Sequence, residues 1–486
     1  MKNIYKSFLF AALIVSFCLS SCKGMLDITP VNSMKPETIS DYESILLGGY
    51  PRIDYFLRTE LMTDNAMVNL NTTLKLSAAE EPWFVFSSSH MLGEPIDPYW
   101  GQLYKTIFYA NTVLDKFAGI TPDASEKKKY EQVKGEAYAL RAYAYFYLIN
   151  MYADVYSLEN VELPGVPMPL DAEDVNEFSK DNTREPIGKV WAQIASDLKQ
   201  AEVLLQGKPS NDRFRFNSIT VQLLNARVAL FMGKYDEAVA YASEVMASSR
   251  LSNMNSMQAR IDEKGDKAAF SGNFGVIDTD YNSEVLFFTG GRANKNLFYY
   301  FQAAAKPTEE LLALTKRNGD LVDYRQYIFD SFEDFDVQGA ALVGKTVYNM
   351  FATQDRYWFY IGLKASEAYV IRAEAYARKQ QYGKALDDIN KLLVTRYKKG
   401  SFVELKESDY NDKGDVLKRV LDERRLETAF DGGLRFFDLR RLGKPEIKHV
   451  YKNSQEFVLK KNDPKYVLQI PMSEQNNSPN MPTNPR

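Results

Sequence analysis

Leu223-Leu224-Asn225-Ala226-Arg227-Val228-Ala229-Leu230-Phe231-Met232-Gly233-Lys234-Tyr235-Asp236-Glu237-Ala238 and Val370-Ile371-Arg372-Ala373-Glu374-Ala375-Tyr376-Ala377-Arg378-Lys379-Gln380-Gln381-Tyr382-Gly383-Lys384-Ala385 are two copies of one pattern. A single register aligns Leu223-Leu224 with Val370-Ile371, Ala226 with Ala373, Tyr235 with Tyr382 and Ala238 with Ala385. It continues through Ala242 with Ile389 and Val245 with Leu392. Small residues at these positions let paired helices approach closely, while the tyrosine after the turn fills the space beside them. This is the logic of tetratricopeptide helix pairs. Gly233-Lys234-Tyr235 supplies the turn in the first copy, whereas the second has Gln380-Gln381-Tyr382 and no glycine. The spacing predicts a mainly α-helical fold built from helical hairpins.

Working outward, Asp97-Pro98 reads as a helix start, with Asp97 as cap and Pro98 at the first helical position. Trp100, Leu103, Ile107, Ala110, Leu114 and Phe117 follow at three- and four-residue spacing and form one apolar face. Tyr130, Val133, Ala137, Leu140, Ala144 and Leu148 form a second such face that stops near Asp154. Neighbouring faces of this kind bury each other as a hairpin. Residues 249–363, between the two repeat copies, lose helical periodicity and are rich in Asn, Asp, Gly and aromatics, so a loop-rich insertion is expected there. Glu284-Val285-Leu286-Phe287 is the one candidate for a short buried strand or turn within it. The tail beyond Lys444 reads as irregular, and Pro479, Pro482 and Pro485 exclude a terminal helix.

The amino terminus carries an address. Lys2 and Lys6 precede an almost wholly apolar run from Phe8 to Leu19, and Leu19-Ser20-Ser21-Cys22 closes it with small residues before a cysteine. That is the pattern of a secretory signal ending in a lipobox, which predicts cleavage before Cys22 and acylation of that residue. The apolar run is shorter than the roughly 20 residues a membrane-spanning helix needs, and no later stretch is long and apolar enough to span. The other cysteine, Cys18, lies in the removed segment, so the mature chain has no internal disulfide and no cysteine-built metal site. With two histidines, His90 and His449, in 486 residues, histidine-rich zinc sites and most histidine-based catalysis lack raw material. A net charge of −4 leaves no electrostatic footprint for nucleic acid.

Two stretches invite a chemical reading. Glu423 to Arg441 concentrates acids and bases, but Glu423, Arg424 and Glu427 lie within about one helical turn, where ion pairs and caps are ordinary. No activated nucleophile or histidine base accompanies them, so structural pairing is the better reading. Asn111 and Arg141, which interrupt apolar faces, are likewise expected to be hydrogen-bonded core residues. Asp278-Thr279-Asp280-Tyr281-Asn282-Ser283-Glu284 places oxygen donors at alternate positions, as calcium loops do. It lacks the glycine and the distant bidentate glutamate of an EF-hand, so a plain turn is expected and no metal or cofactor.

Taken together, these motifs resemble the SusD/RagB lipoproteins of Gram-negative bacteria. The resemblance is carried by the lipobox with Leu26-Asp27 and Pro30, by Trp100, Tyr104 and Ala110-Asn111, and by Gly135-Glu136-Ala137 with Leu140-Arg141-Ala142. It continues in order through Asp197-Leu198 with Ala201, Asn282-Ser283-Glu284, Glu367 with Arg372-Ala373-Glu374-Ala375, and Asn390 with Arg396. Glu423-Arg424, Glu427, Arg435, Asp438-Leu439 and Arg441 match a C-terminal signature, and Ile470-Pro471 with Glu474 the ending. Asp431-Gly432-Gly433 stands one residue longer than the usual Glu-Gly. Ala153 and Tyr156 replace a common Gly and Pro, and Asn480-Met481-Pro482 interrupts an Asn-Pro ending.

The resemblance implies one SusD-like domain over residues 22–486, after a signal peptide at 1–21. It has a helical-repeat core over roughly 98–153, 184–248 and 364–441, a variable lobe at 249–363 and a tail at 445–486. It also implies a non-catalytic, outer-membrane, outward-facing lipoprotein that passes glycans, or in some members peptides, to a SusC-like TonB-dependent transporter. Flat aromatic faces can stack on sugar C–H faces while nearby amides and acids bond the hydroxyls. Trp83, Tyr281, Tyr299, Tyr300 and Trp358 lie outside the clear helical faces, in segments the family varies, and are the expected ligand-binding pool. The rival reading is a tetratricopeptide scaffold lipoprotein that organises outer-membrane proteins and binds no small ligand.

Overall fold

The computed structural model describes residues 36–51, 56–68, 76–78, 80–87, 97–172, 183–208, 212–257, 283–289, 305–317, 321–327, 329, 331–335, 341–348 and 361–486. The lipobox and Cys22 lie outside them. The amino-terminal part holds α1 (Ile39–Gly48), α2 (Phe56–Leu61), β1 (Ala66–Val68), α3 (Glu81–Phe84), α4 (Pro98–Ala118) and α5 (Lys127–Tyr152). Next come α6 (Ile187–Leu205), α7 (Ser218–Phe231), α8 (Tyr235–Ser248), β2 (Val285–Thr289), β3 (Ala305–Pro307), α9 (Glu309–Lys316), β4 (Ser331–Phe335), β5 (Ala341–Tyr348) and β6 (Ile361–Lys364). The rest is α10 (Ala365–Arg378), α11 (Tyr382–Leu393), α12 (Lys413–Glu427), α13 (Leu434–Arg441), β7 (Ile447–Tyr451), β8 (Gln455–Leu459) and α14 (Met472–Asn477). The fold is mainly helical, as the periodicity predicts.

The helices pack in sequence. α4 lies on α5, α5 on α6, α6 on α7 and α7 on α8; α8 then lies directly on α10, and α10 on α11 and α12. The two repeat copies are therefore stacked neighbours, and residues 249–363 are inserted between helices that touch. Both α4 and α5 follow their expected faces, and Asp97 caps α4 by accepting from the backbone amides of Tyr99 (2.8 Å) and Trp100 (3.4 Å). Beyond Ala139, α5 is buried all round rather than along one face. Tyr145 and Tyr152 tolerate this because their hydroxyls find acceptors: Tyr145 donates to the Pro169 carbonyl at 2.6 Å and Tyr152 to Asp97 at 2.6 Å.

The aligned register holds in three dimensions. Leu223, Leu224, Ala226, Ala238, Ala242 and Val245 are fully buried, as are Val370, Ile371, Ala373, Ala385, Ile389 and Leu392. Tyr235 is half-buried against the core, with the Arg378 guanidinium of the other copy 5.8 Å from its ring centre. Where the first copy turns through Gly233 at φ +70°, the second places Gln380 at φ +59°, so the turn geometry is shared although the glycine is not. Enlarging Ala226 or Ala373 to Phe should overpack these helix contacts at a cost of about 1–3 kcal/mol, read as a lowered melting temperature. Two unchanged melting temperatures would mean that these alanines are not at the contact.

Two expectations change. The insertion holds β2 where the sequence suggests a strand, but it also holds β3 to β5 and the helix α9. α9 starts on a Thr308 cap and buries only Leu311 and Thr315, too few positions to show a helical period. β2 pairs antiparallel with β6, Val285 opposite Lys364 and Thr289 opposite Ile361, while β1 pairs with β3, Val68 opposite Ala305. The tail, expected to be irregular, contains the hairpin β7–β8, closed by Lys452, Asn453 and Ser454, all at positive φ. Ile447, His449 and Tyr451 point inward and Lys448 and Val450 outward, a two-residue alternation masked by its polar members. α14 ends at Asn477, ahead of Pro479. Asn484 is the tail's buried lock: its side chain donates to the carbonyls of Tyr152 (2.8 Å) and Leu468 (2.7 Å).

Candidate functional site

The acid–base run of α12 and α13 is committed inside the helical body. Glu427 receives Arg325 at 2.9 Å and Arg396 at 2.9 Å, and Arg396 also pairs with Glu284 at 2.6 Å. Glu423 receives Arg325 at 2.8 Å and Arg419 at 2.9 Å, with Arg317 alongside. Arg424 pairs with Asp438 at 2.8 Å. Arg441 bridges Asp438 (2.7 Å) and Glu374 (2.6 Å), and Arg435 grips Asp64 at 2.6 Å. Burial alone would raise the carboxyls of Glu423 and Glu427, but the facing guanidiniums override it and hold both down at about 2. Burial is overridden in the same way at Glu374, by Arg441 and Arg378, to about 2. Carboxylates so firmly ionised and so fully engaged are poor proton donors near neutral pH. Between α12 and α13, Gly432 (φ +59°) and Gly433 (φ +72°) give the left-handed turn that aims α13 back at α12, which accounts for the extra glycine.

Arg141 and Asn111 are core residues, as expected. Arg141 grips Asp197 with contacts of 2.7 and 2.8 Å and donates to Asn111 Oδ1 at 2.9 Å. Glu284, the last oxygen donor of the 278–284 run, is 2% exposed; besides Arg396 it accepts from the Ser252 amide at 3.0 Å. It therefore serves the helix network rather than a loop-bound ion, while Asp278, Asp280 and Asn282 lie outside the described residues. No group of three or more His, Cys, Asp or Glu side chains that could hold a metal occurs among the described residues.

Of the five aromatics expected to meet ligand, only Trp83 is described, and its place is a correction. It is 4% exposed, on α3, with the Arg58 guanidinium 5.8 Å from its ring centre and Tyr99 on the same cation at 5.4 Å. Its indole packs the interior, because a four-residue helix beginning Glu81-Pro82 can be stable only by burying Trp83 and Phe84. Tyr281, Tyr299, Tyr300 and Trp358 lie outside the described residues. The chain bearing Tyr281 runs into the Ser283-Glu284 turn and β2, that bearing Tyr299 and Tyr300 into β3, and that bearing Trp358 into β6. Those strands are tied to the body by their pairing and by Glu284–Arg396, so the segments have fixed points of attachment.

Comparison with known proteins bears on what this arrangement serves. Residues 26–230 match a family profile described as "Starch-binding associating with outer membrane", and residues 354–486 match that of the SusD family. The chain belongs to the SusD/RagB family. SusD-like protein P38 of Formosa agariphila is 27% identical over 266 residues, which cover 52% of this chain and 47% of that protein. SusD-like protein P25 of the same organism is 21% identical, with 56% and 49% covered, so the chain spans about half the length of these curated relatives. A SusD superfamily structure from Bacteroides thetaiotaomicron superposes with a TM-score of 0.71 at 20% identity, covering 93% of this chain and all of that one (100%). A SusD-like carbohydrate binding protein from Bacteroides vulgatus gives 0.65 at 18%, covering 92% and 98%. Neither profile is that of an enzyme family.

In this SusD/RagB chain the C-terminal signature is a set of struts. Its partners Arg325, Asp323 and Lys364 were not picked out by the sequence pattern, since Arg325 lies in the insertion and Lys364 ends β6. The run from Glu423 to Arg441 carries acids and bases in near balance, so its composition holds no signal that Glu423 and Glu427 take their basic partners from elsewhere in the chain. No helix among the described residues is long and apolar enough to cross a membrane.

Proposed function

We propose that the chain is a lipid-anchored, non-catalytic glycan-binding protein of the outer membrane, held by Cys22 and facing outward. It would pass its ligand to a SusC-like TonB-dependent transporter. The observation that carries this reading is a division of labour. The acids and bases of the family signature are consumed by ion pairs within the helical body, while Tyr281, Tyr299, Tyr300 and Trp358 lie in the segments of sequence that precede β2, β3 and β6. The family profile that names starch and the outer membrane supports the ligand class and the location. The carbohydrate binding relative from B. vulgatus supports the same class.

Two measurements test it. Single replacement of Tyr281, Tyr299, Tyr300 and Trp358 by Ala should weaken oligosaccharide binding, followed by calorimetry, by about 1 kcal/mol or roughly five-fold for each stacking residue. The melting temperature should stay put. Trp83→Ala serves as the contrast and should cost about 3–5 kcal/mol of stability, as a buried aromatic does. If no member of the pool alters binding while all fold, the ligand site lies elsewhere, and if no oligosaccharide binds at all the scaffold reading takes its place. Cys22→Ser should abolish acyl labelling and membrane retention, and retention without the cysteine would remove the anchor.

A further inference from the structure

His449 sits on β7 with 4% exposure, its ring sandwiched between Phe84 (centroids 4.2 Å apart, planes at 13°) and Phe86 (4.6 Å, 25°). Nδ1 lies 2.7 Å from the Phe84 carbonyl oxygen and Nε2 lies 2.9 Å from the Thr63 carbonyl oxygen. Carbonyl oxygens only accept, whereas a neutral imidazole has one N–H and one lone pair. In the neutral ring, one of these contacts would set a lone pair against a carbonyl oxygen at hydrogen-bond distance. An imidazolium donates to both.

We propose that His449 is an imidazolium latch that pins the Thr63 turn and α3 to the C-terminal hairpin, and that loss of its proton loosens this corner of the fold. Desolvation, the largest influence, pushes the ring below the ordinary histidine value, while the two carbonyls and Asp64 work the other way; it is the pair of carbonyl acceptors that places a proton on each ring nitrogen. Two aromatic faces add cation–π attraction. Among the described residues the charged neighbours are these. In the turn, Asp64 is held by Arg435 (2.6 Å) and Arg425 (3.4 Å), and on α2, just before it, Glu60 is buried. Burial, with Asp431 and Asp64 nearby, raises Glu60 to about 8, so it brings no charge near neutral pH. On α3, Glu81 pairs with Lys452 at 2.5 Å, and just before it Glu80 accepts from the Ser77 amide at 2.9 Å. On β8, Phe457 stands opposite His449, and the neighbouring Glu456 pairs with Lys448 at 3.4 Å. Lys465 donates to the Phe86 carbonyl at 2.9 Å, which helps hold Phe86 at φ +53°, a costly conformation for a bulky residue.

The latch has a mechanical place. Thr308, at the end of β3, donates from its amide to the Asn65 carbonyl (2.9 Å) and from its hydroxyl to the Asp64 carbonyl (2.7 Å), so the turn that His449 grips also seats the β1–β3 pair. Where the two carbonyl acceptors outweigh the desolvation, the native value lies above the unfolded value of about 6.5. The stabilisation is then complete below about pH 6.5 and is lost as pH rises through the native value.

Nitrogen NMR of the full chain, labelled at the histidine rings and assigned with His90→Gln, reads the state directly. At about pH 7 both ring nitrogens of His449 should carry protons, with a titration midpoint above about 6.5. A single ring N–H at that pH, or a midpoint below that value, overturns the proposal. His449→Phe keeps the stacking but not the donors, so its melting-temperature deficit against wild type should narrow between about pH 6 and pH 9 as the wild type loses its proton. A deficit constant over that range would leave His449 as packing alone and would likewise overturn it. The NMR measurement, made on the wild-type ring, decides the matter even if the Phe variant does not fold.

Discussion

Glu427→Gln should lower the unfolding free energy by about 3–5 kcal/mol, because removing one partner from a buried ion pair leaves the others charged and unpaired in a dry interior. Glu427 accepts from Arg325 Nη1 (2.9 Å), Arg396 Nε (3.0 Å) and Arg396 Nη2 (2.9 Å), and its backbone carbonyl takes the Lys364 ammonium at 2.9 Å. The substitution therefore unbalances α12 against the insertion at Arg325 and against the end of α11 at Arg396. The same network sets an acid limit. Glu374, Glu423 and Glu427 have native values of about 2 against about 4.3 in the unfolded chain, so their contribution is fully present above about pH 4.3 and is lost as pH falls through about 2. Urea unfolding at neutral pH checks the first expectation, and an acid melt that shifts upward in pH for the variant checks the second. A change under about 1 kcal/mol would mean that Glu427 is not a strut and would reopen the acid–base reading of α12.

The helical body was legible because helix pairs advertise themselves. Ala226 and Ala373 sit in the same register because close helix contacts demand small residues at fixed intervals, and that constraint survives an insertion between stacked helices. The caps were legible for a local reason too, as at Asp97-Pro98. What sequence could not give was the partner of each buried charge. Glu284, Arg325 and Arg396 meet at Glu427 and Glu423 only after the chain has folded back on itself, and no spacing rule connects residues so far apart. The hairpin β7–β8 escaped because His449 and Tyr451 disguise its apolar alternation. Trp83 misled for a related reason: in an element as short as α3, periodicity is silent about which side faces in, and lying outside a helical face is no measure of exposure.

Glu60→Gln should stabilise the protein by about 1–3 kcal/mol near pH 7, the opposite sign to Glu427→Gln, although both residues are buried acids. The difference lies in what each faces. Glu60 is fully buried, and its Oε1 meets no hydrogen-bond partner among the described residues. Desolvation, with Asp431 and Asp64 nearby and only Arg435 and Thr63 opposing, pushes its carboxyl up to about 8. The native residue thus stays protonated while the unfolded chain ionises from about pH 4.3, so rising pH favours unfolding until the native value is reached. A neutral amide of the same shape removes that penalty, and it can still use the weak contact with the Thr63 hydroxyl at 3.5 Å. Urea unfolding at about pH 7 and about pH 4 gives the decisive comparison, since the gain should be present at the first and vanish at the second, where both states of the wild type are largely protonated. A variant destabilised at neutral pH would instead show that Glu60 is ionised in the native protein and that Arg435 divides its charge between Glu60 and Asp64.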